Sequence, residues 1–88
     1  MDITDVKIYK LKGKGKLLAY ANVVLSDKVV LRGIKIIDGA KGRFIAMPAR
    51  LDKRFKEPIF REFYHPISQE ARDELTEKVL NAYDKLDN

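Results

Sequence analysis

Short reversals between apolar runs constrain this chain more than any other feature. From residue 3 to residue 47, apolar stretches alternate with Gly13-Lys14-Gly15, Ser26-Asp27-Lys28 and Asp38-Gly39-Ala40-Lys41-Gly42. Connections this short join antiparallel strands, because a parallel crossover needs a dozen or more residues. The runs themselves are residues 3–11, 17–25, 29–37 and 43–47. In the first, Val6 and Ile8 share one strand face and Tyr9 and Leu11 the other. The second, LLAYANVVL, is apolar on both faces. In the third, Val29 and Leu31 share one parity and Ile34 and Ile36 the opposite one, so the phase slips by one residue at Gly33. A slip at a glycine predicts a β-bulge. Pro48 lacks a ladder donor and ends the fourth strand. An aromatic run ending in His65-Pro66-Ile67 adds another strand, giving a meander of about five.

After Ile67 the period changes. Ser68 is a good helix N-cap, with Glu70 in the first turn. Ala71, Leu75, Val79, Ala82, Tyr83 and Leu86 then form one apolar helical stripe. Arg72, Asp73, Glu77, Lys78, Asp84 and Lys85 lie opposite, with Asp73 and Glu77 as a solvated pair. The expectation is an α+β fold in one domain, residues 1–88. It consists of a small antiparallel sheet with a C-terminal helix of about five turns packed on one face. A chain this short buries a little over ~60% of its unfolded surface, and it has no cysteine for a disulfide. One helix covers one sheet face, so the second apolar face calls for another chain, and a homodimer is expected. The acidic N-terminus does not read as a signal peptide, and no apolar run approaches the ~20 residues of a membrane span. A soluble cytoplasmic protein without a membrane partner is expected.

The net charge of +5 is unevenly distributed. Residues 1–67 carry 15 Lys/Arg and 7 Asp/Glu, whereas residues 68–88 carry 3 and 6. A basic body attracts polyanions. Two clusters stand out. Arg50, Lys53, Arg54 and Lys56 crowd the connector after Pro48, with Arg61 just beyond and Asp52 and Glu57 partly offsetting them. Arginine offers planar two-point donors to phosphate and lysine a point charge. Phe55 and Phe60 could stack on unpaired bases, although the series Phe55, Phe60, Phe63 and Tyr64 reads mainly as core. The second cluster is Lys7, Lys10, Lys12, Lys14 and Lys16, with no acid between residues 6 and 26. Its Lys-Gly-Lys-Gly-Lys tip suits close approach to a polyanion, or discourages edge aggregation. It is not a P-loop, since Leu17 follows Lys16. A solvated loop is the alternative for the first cluster.

Nothing marks an enzyme. His65, the single histidine, reads as a structural hydrogen-bonder, and Ser68 as a cap. No metal set is available and no cofactor is implied.

Phe44-Ile45-Ala46-Met47-Pro48 and Phe60-Arg61-Glu62-Phe63-Tyr64-His65-Pro66-Ile67, with Ile3-Thr4-Asp5-Val6 at the start, resemble the stage V sporulation protein G (SpoVG) septation family. The resemblance covers roughly residues 1–86. It implies a small antiparallel sheet with a C-terminal helix, a homodimer, and a nucleic-acid-binding regulator linked to sporulation, septum formation and virulence control. It also implies DNA contact by the basic residues after Ala-Met-Pro, here Arg50, Lys53 and Arg54. The helix is implicated as well, through Arg72, Lys78 and Lys85. Ala49 replaces the Ser or Asn of many relatives, Phe55 and Pro58 replace a glycine-containing loop, and the long acidic tail of many relatives is missing.

The expected function is therefore a homodimer that grips the phosphates of DNA, or of RNA, through basic loops. The expected contacts are Arg50, Lys53, Arg54, Lys56 and Arg61, with Lys12, Lys14 and Lys16 extending the surface. A cell-division adaptor that pairs with a protein partner is the alternative. An enzyme acting on a phosphorylated small molecule through His65 is a more distant one.

Overall fold

The computed structural model describes residues 1–86 except Lys14, Phe55 and Pro58. Strands β1 (Ile3–Lys10), β2 (Leu17–Leu25), β3 (Val29–Gly39) and β4 (Gly42–Ala46) form an antiparallel sheet in sequence order. Strands β5 (Ala49–Asp52) and β6 (Ile59–Glu62) form a separate antiparallel ribbon, and helix α1 (Gln69–Leu86) closes the chain. The α+β class and the C-terminal helix agree with the sequence reading. The meander itself has four strands. The aromatic segment pairs instead with the start of the basic connector, which is a strand and not a loop.

Local chemistry accounts for the reversals. Ser26 and Asp27 both have positive φ, 53° and 54°. Positive φ at both positions matches the right-handed twist of the strands, within the three-residue connection Ser26-Asp27-Lys28 between the paired Leu25 and Val29. Lys28 N–H donates to the Leu25 carbonyl at 2.9 Å, and Asp27 N–H donates to Thr4 Oγ1 at 3.1 Å. The slip expected at Gly33 is present: Ala21 lies opposite Ile34, but Val23 lies opposite Leu31. Gly33 has φ +84° and donates its N–H to Asn22 Oδ1 at 3.3 Å. The bulge places Leu31 and Ile34 on the same face despite their odd spacing.

That face is the core. Ala19, Ala21 and Val23 of β2, Ile34 and Ile36 of β3, Ile45 of β4 and Met47 are buried against Leu75, Val79 and Tyr83 of α1. The helix starts where the sequence indicates, with Ala71 N–H donating to Ser68 Oγ at 3.1 Å. Tyr83 ends the buried stripe between two cations: Lys10 Nζ lies 5.4 Å from its ring centre and Arg43 Cζ 5.3 Å. Arg43 also pairs with Asp84.

The other face of the sheet carries Tyr9, Leu17, Tyr20, Val24, Val30, Ile37 and Phe44, none of them fully buried. No described element covers it. Phe44 packs over Gly39, where a Cβ would lie 2.8 Å from the ring.

The β5–β6 ribbon projects from this body. The Cα radius of gyration is 13.9 Å, against about 12 Å for a compact chain of this length. Phe63 N–H donates to the Pro48 carbonyl at 2.8 Å and closes the ribbon's base. Two links tie that base to the body: Tyr64 Oη–H donates to the Arg32 carbonyl at 2.6 Å, and Arg72 lies 3.8 Å from Glu62. Of the aromatic residues expected mainly in the core, Phe60 and Phe63 are outside it, and Phe55 lies outside the described residues. Phe60 is 75% exposed and Phe63 66%, whereas Tyr64 is half-buried. Phe60 sits on the projecting ribbon and Phe63 just past the end of β6, whereas Tyr64 packs against the core.

Two substitutions separate backbone strain from packing. Gly33→Ala meets no atom within 4 Å of the new Cβ, so its expected cost is conformational only, about 1–2 kcal/mol. Leu75→Ala removes a fully buried side chain and is expected to cost about 2–5 kcal/mol. Urea unfolding checks both. Equal stability of Gly33→Ala and wild type would contradict the positive-φ bulge.

Candidate nucleic-acid interface

The ribbon's register creates the most charged feature of the fold. Arg50 lies directly opposite Arg61, and Asp52 opposite Ile59. Strand side chains alternate, so Arg50, Asp52, Ile59 and Arg61 share one face, and Leu51 and Phe60 the other. Like charges directly opposite each other destabilise a ribbon. Asp52 supplies the compensating charge two residues from Arg50. Its carboxylate accepts Arg54 Nε–H at 3.0 and 3.3 Å, Arg54 Nη2–H at 2.8 Å and Arg54 backbone N–H at 3.1 Å. Arg61 Nε also lies 3.0 Å from the same carboxylate.

The arrangement turns guanidinium groups outward around a central anion. The Asp52 side chain is only 11% exposed, against 80% for Arg54 and 55% for Arg61. The Arg54 side chain and then the Arg54 backbone N–H lower the Asp52 pKa from 3.8 to about 2, against the opposing effect of burial, with Arg61 and Arg50 adding to the lowering. The same pairing raises the Arg54 pKa. Asp52 is thus a fixed negative charge at any physiological pH, and Arg54 a fixed positive one.

Arg50, Leu51, Asp52, Lys53, Arg54, Arg61, Glu62 and Phe63 line an open cleft of about 760 Å³ on this ribbon. The cleft gathers four of the expected contacts: Arg50, Lys53, Arg54 and Arg61. Lys56 is exposed in the connector but does not line it. Lys12 and Lys16 are exposed at the β1–β2 connection, where Asp38 N–H donates to the Lys16 carbonyl at 2.8 Å. Neither lines the cleft. Lys14, and the stacking role considered for Phe55, lie outside the described residues. Phe60 is on the ribbon face opposite the arginines, whereas Phe63 lines the cleft.

Sequence reasoning treated Asp52 as a partial offset of the cluster and missed its position at the centre. The alternation Arg50-Leu51-Asp52 facing Ile59-Phe60-Arg61 was the available signal. His65 Nδ1–H donates to the Pro66 carbonyl at 2.9 Å, a local bond of the kind expected. Among the described residues, no group of three or more His, Cys, Asp or Glu is placed to hold a metal ion. None of the helices described is long and apolar enough to cross a membrane.

An acid titration tests the clamp. The Asp52 carboxyl signal, followed by NMR, is expected to show a midpoint of about 2. Because the folded value lies below the unfolded one, ionised Asp52 stabilises the ribbon above about pH 4, and that contribution is lost as the pH falls through about 2. Arg54→Ala removes the largest cause, so the midpoint should return toward the ordinary carboxylate range. A midpoint unmoved in that variant would mean that Arg54 does not hold the carboxyl.

The SpoVG family profile matches residues 1–85. The chain is 44% identical over 82 residues to the "Putative septation protein SpoVG" of Archaeoglobus fulgidus, covering 93% of each chain. It is 40% identical over 87 residues to the Lachnospira eligens protein of the same name, covering 99% of this chain and 96% of that one. With the Clostridium perfringens (strain 13) protein, also so named, identity is 38% over 88 residues, covering 100% and 94%. The profile match and these near full-length identities give the same answer: the chain belongs to the SpoVG family.

Proposed function

We propose that this chain is a nucleic-acid-binding regulatory protein that acts as a cytoplasmic homodimer and grips phosphates through its projecting ribbon. The observation that carries the reading is the cleft in which Arg50, Lys53, Arg54 and Arg61 gather on a ribbon standing clear of the sheet. Outward guanidinium groups offer two-point donors at the spacing of phosphate oxygens. The exposed Lys56, and Lys12 and Lys16 at the far connection, add sequence-independent attraction. Affinity then comes mainly from the backbone of the nucleic acid, with modest base readout, because no helix among the described residues presents a basic polar face for a groove. The uncovered sheet face supports the dimer, since burying its apolar side chains against a second copy removes them from water. Two symmetry-related ribbons would then meet successive phosphate tracks. The relatives' name, "Putative septation protein SpoVG", supports a role connected with septation or sporulation, and the chain carries no catalytic role in this reading.

A second reading has its own observation. Phe60, Phe63 and Ile67 are 75%, 66% and 93% exposed, which suits an apolar protein partner in cell division.

Fluorescence anisotropy with labelled duplex DNA and single-stranded RNA across a salt series separates the two. Log K is expected to fall with log salt by about 0.9 per phosphate on duplex and about 0.7 on single strands. The ligand that binds more tightly decides between DNA and RNA. Arg50→Ala, Lys53→Ala and Arg54→Ala combined are expected to abolish most binding while the thermal transition is retained. Undiminished affinity in that folded variant overturns the assignment. Light scattering is expected to give twice the chain mass.

A further inference from the structure

Asp52 is an unusual residue to find at the centre of a phosphate-gripping cluster. A carboxylate there lowers the local positive charge, and on electrostatics alone its removal should tighten the grip. The geometry points to the opposite: we infer that Asp52 is a positioning residue, which anchors Arg61 through Nε and holds Arg54 with its outer N–H groups facing the cleft. This inference rests on the phosphate-gripping function proposed above and names the group that organises that site.

Three observations support it. First, the contacts consume the inner edges of the guanidiniums. Arg54 gives Nε–H and Nη2–H, and Arg61 gives Nε, to one carboxylate. A guanidinium carries five N–H donors, so Nη donors remain on Arg54 for a second anion. Second, the carboxylate cannot readily act as a competitor that swings aside. Its side chain is 11% exposed, and it also accepts the Arg54 backbone N–H, which fixes the turn leaving β5. Third, the register forces Arg50 and Arg61 to face each other, and without Asp52 their repulsion would splay the long side chains apart. A pre-ordered arginine avoids the conformational entropy it would otherwise lose on binding.

The test compares Asp52→Asn with Glu57→Gln. Both remove one negative charge from the connector, but no hydrogen bond or ion pair to Glu57 takes part in the clamp. Each variant is titrated with the labelled duplex DNA and single-stranded RNA used for wild type, and its thermal transition is recorded. Each is also examined without nucleic acid by NMR of the arginine Nε–H groups. Asp52→Asn is expected to bind about fivefold more weakly despite its added positive charge, because two side chains must be re-ordered. Its Arg54 and Arg61 Nε–H signals should lose their separate shifts. Glu57→Gln should bind as tightly as wild type or more tightly, with those signals unchanged. Equal or tighter binding by folded Asp52→Asn, when the Arg50/Lys53/Arg54 triple variant has lost binding, overturns this inference alone. Wild-type protein that binds neither probe at low salt overturns both this inference and the function beneath it. Unfolding of Asp52→Asn would also overturn it, since a positioning role on a projecting ribbon leaves the core intact.

Discussion

Everything in this fold depends on one stripe of side chains meeting one sheet face. Leu75, Val79 and Tyr83 lie across Ala19, Ala21, Val23, Ile34, Ile36 and Ile45, and these with Met47 are the buried hydrophobic core of the described chain. Burial of each large side chain is worth about 1.5–3 kcal/mol before entropy is counted. A chain of this size has little to spare. The Gly33 bulge matters for this reason. Without the one-residue slip, Ile34 and Ile36 would point away from the helix while Leu31 pointed toward it. Ser68 matters for the same reason at the other end, since it sets where the helix begins and hence which residues form its stripe.

The parts of the structure legible in the sequence are those decided by neighbours in the chain. The turn at Ser26-Asp27, the slip at Gly33, the Ser68 cap and the helical period all depend on residues a few positions apart. The ribbon was harder to read. Ala49–Asp52 and Ile59–Glu62 are each only four residues long, too short for alternation to stand out against a run of charges. Phe60 and Phe63 look like core residues because aromatics usually are. Their exposure follows from where the ribbon stands relative to the sheet, which local pattern does not encode. The role of Asp52 is legible in half. Arg54 is two residues away, but Arg61 reaches the carboxylate only through the β5–β6 register.

The distribution of ion pairs also explains why the ribbon, and not the helix, carries the phosphate contacts in the proposed function. Residues 68–88 hold 3 cations and 6 acids. Arg72 lies toward Glu62 at the foot of the ribbon, and Arg43 of the sheet is drawn to Asp84. The helix surface is therefore an acidic one, across which a polyanion would be repelled. On the ribbon the balance is reversed, and the single well-covered acid sits beneath the arginines.

A two-stranded ribbon is at best marginally stable in water when it stands alone. This one keeps two opposed arginines on one face and an exposed Phe60 on the other, both unfavourable in isolation. Asp52 offsets the first cost from within. The second is offset only by something that covers the apolar side. In the proposed dimer, the same association that covers the open sheet face could also shelter that side of the ribbon, leaving the arginine face free for phosphate. Under that proposal the two faces of the ribbon would divide the work, the apolar one in association and the cationic one in binding, and each contact would stabilise the strand pairing on which the other depends.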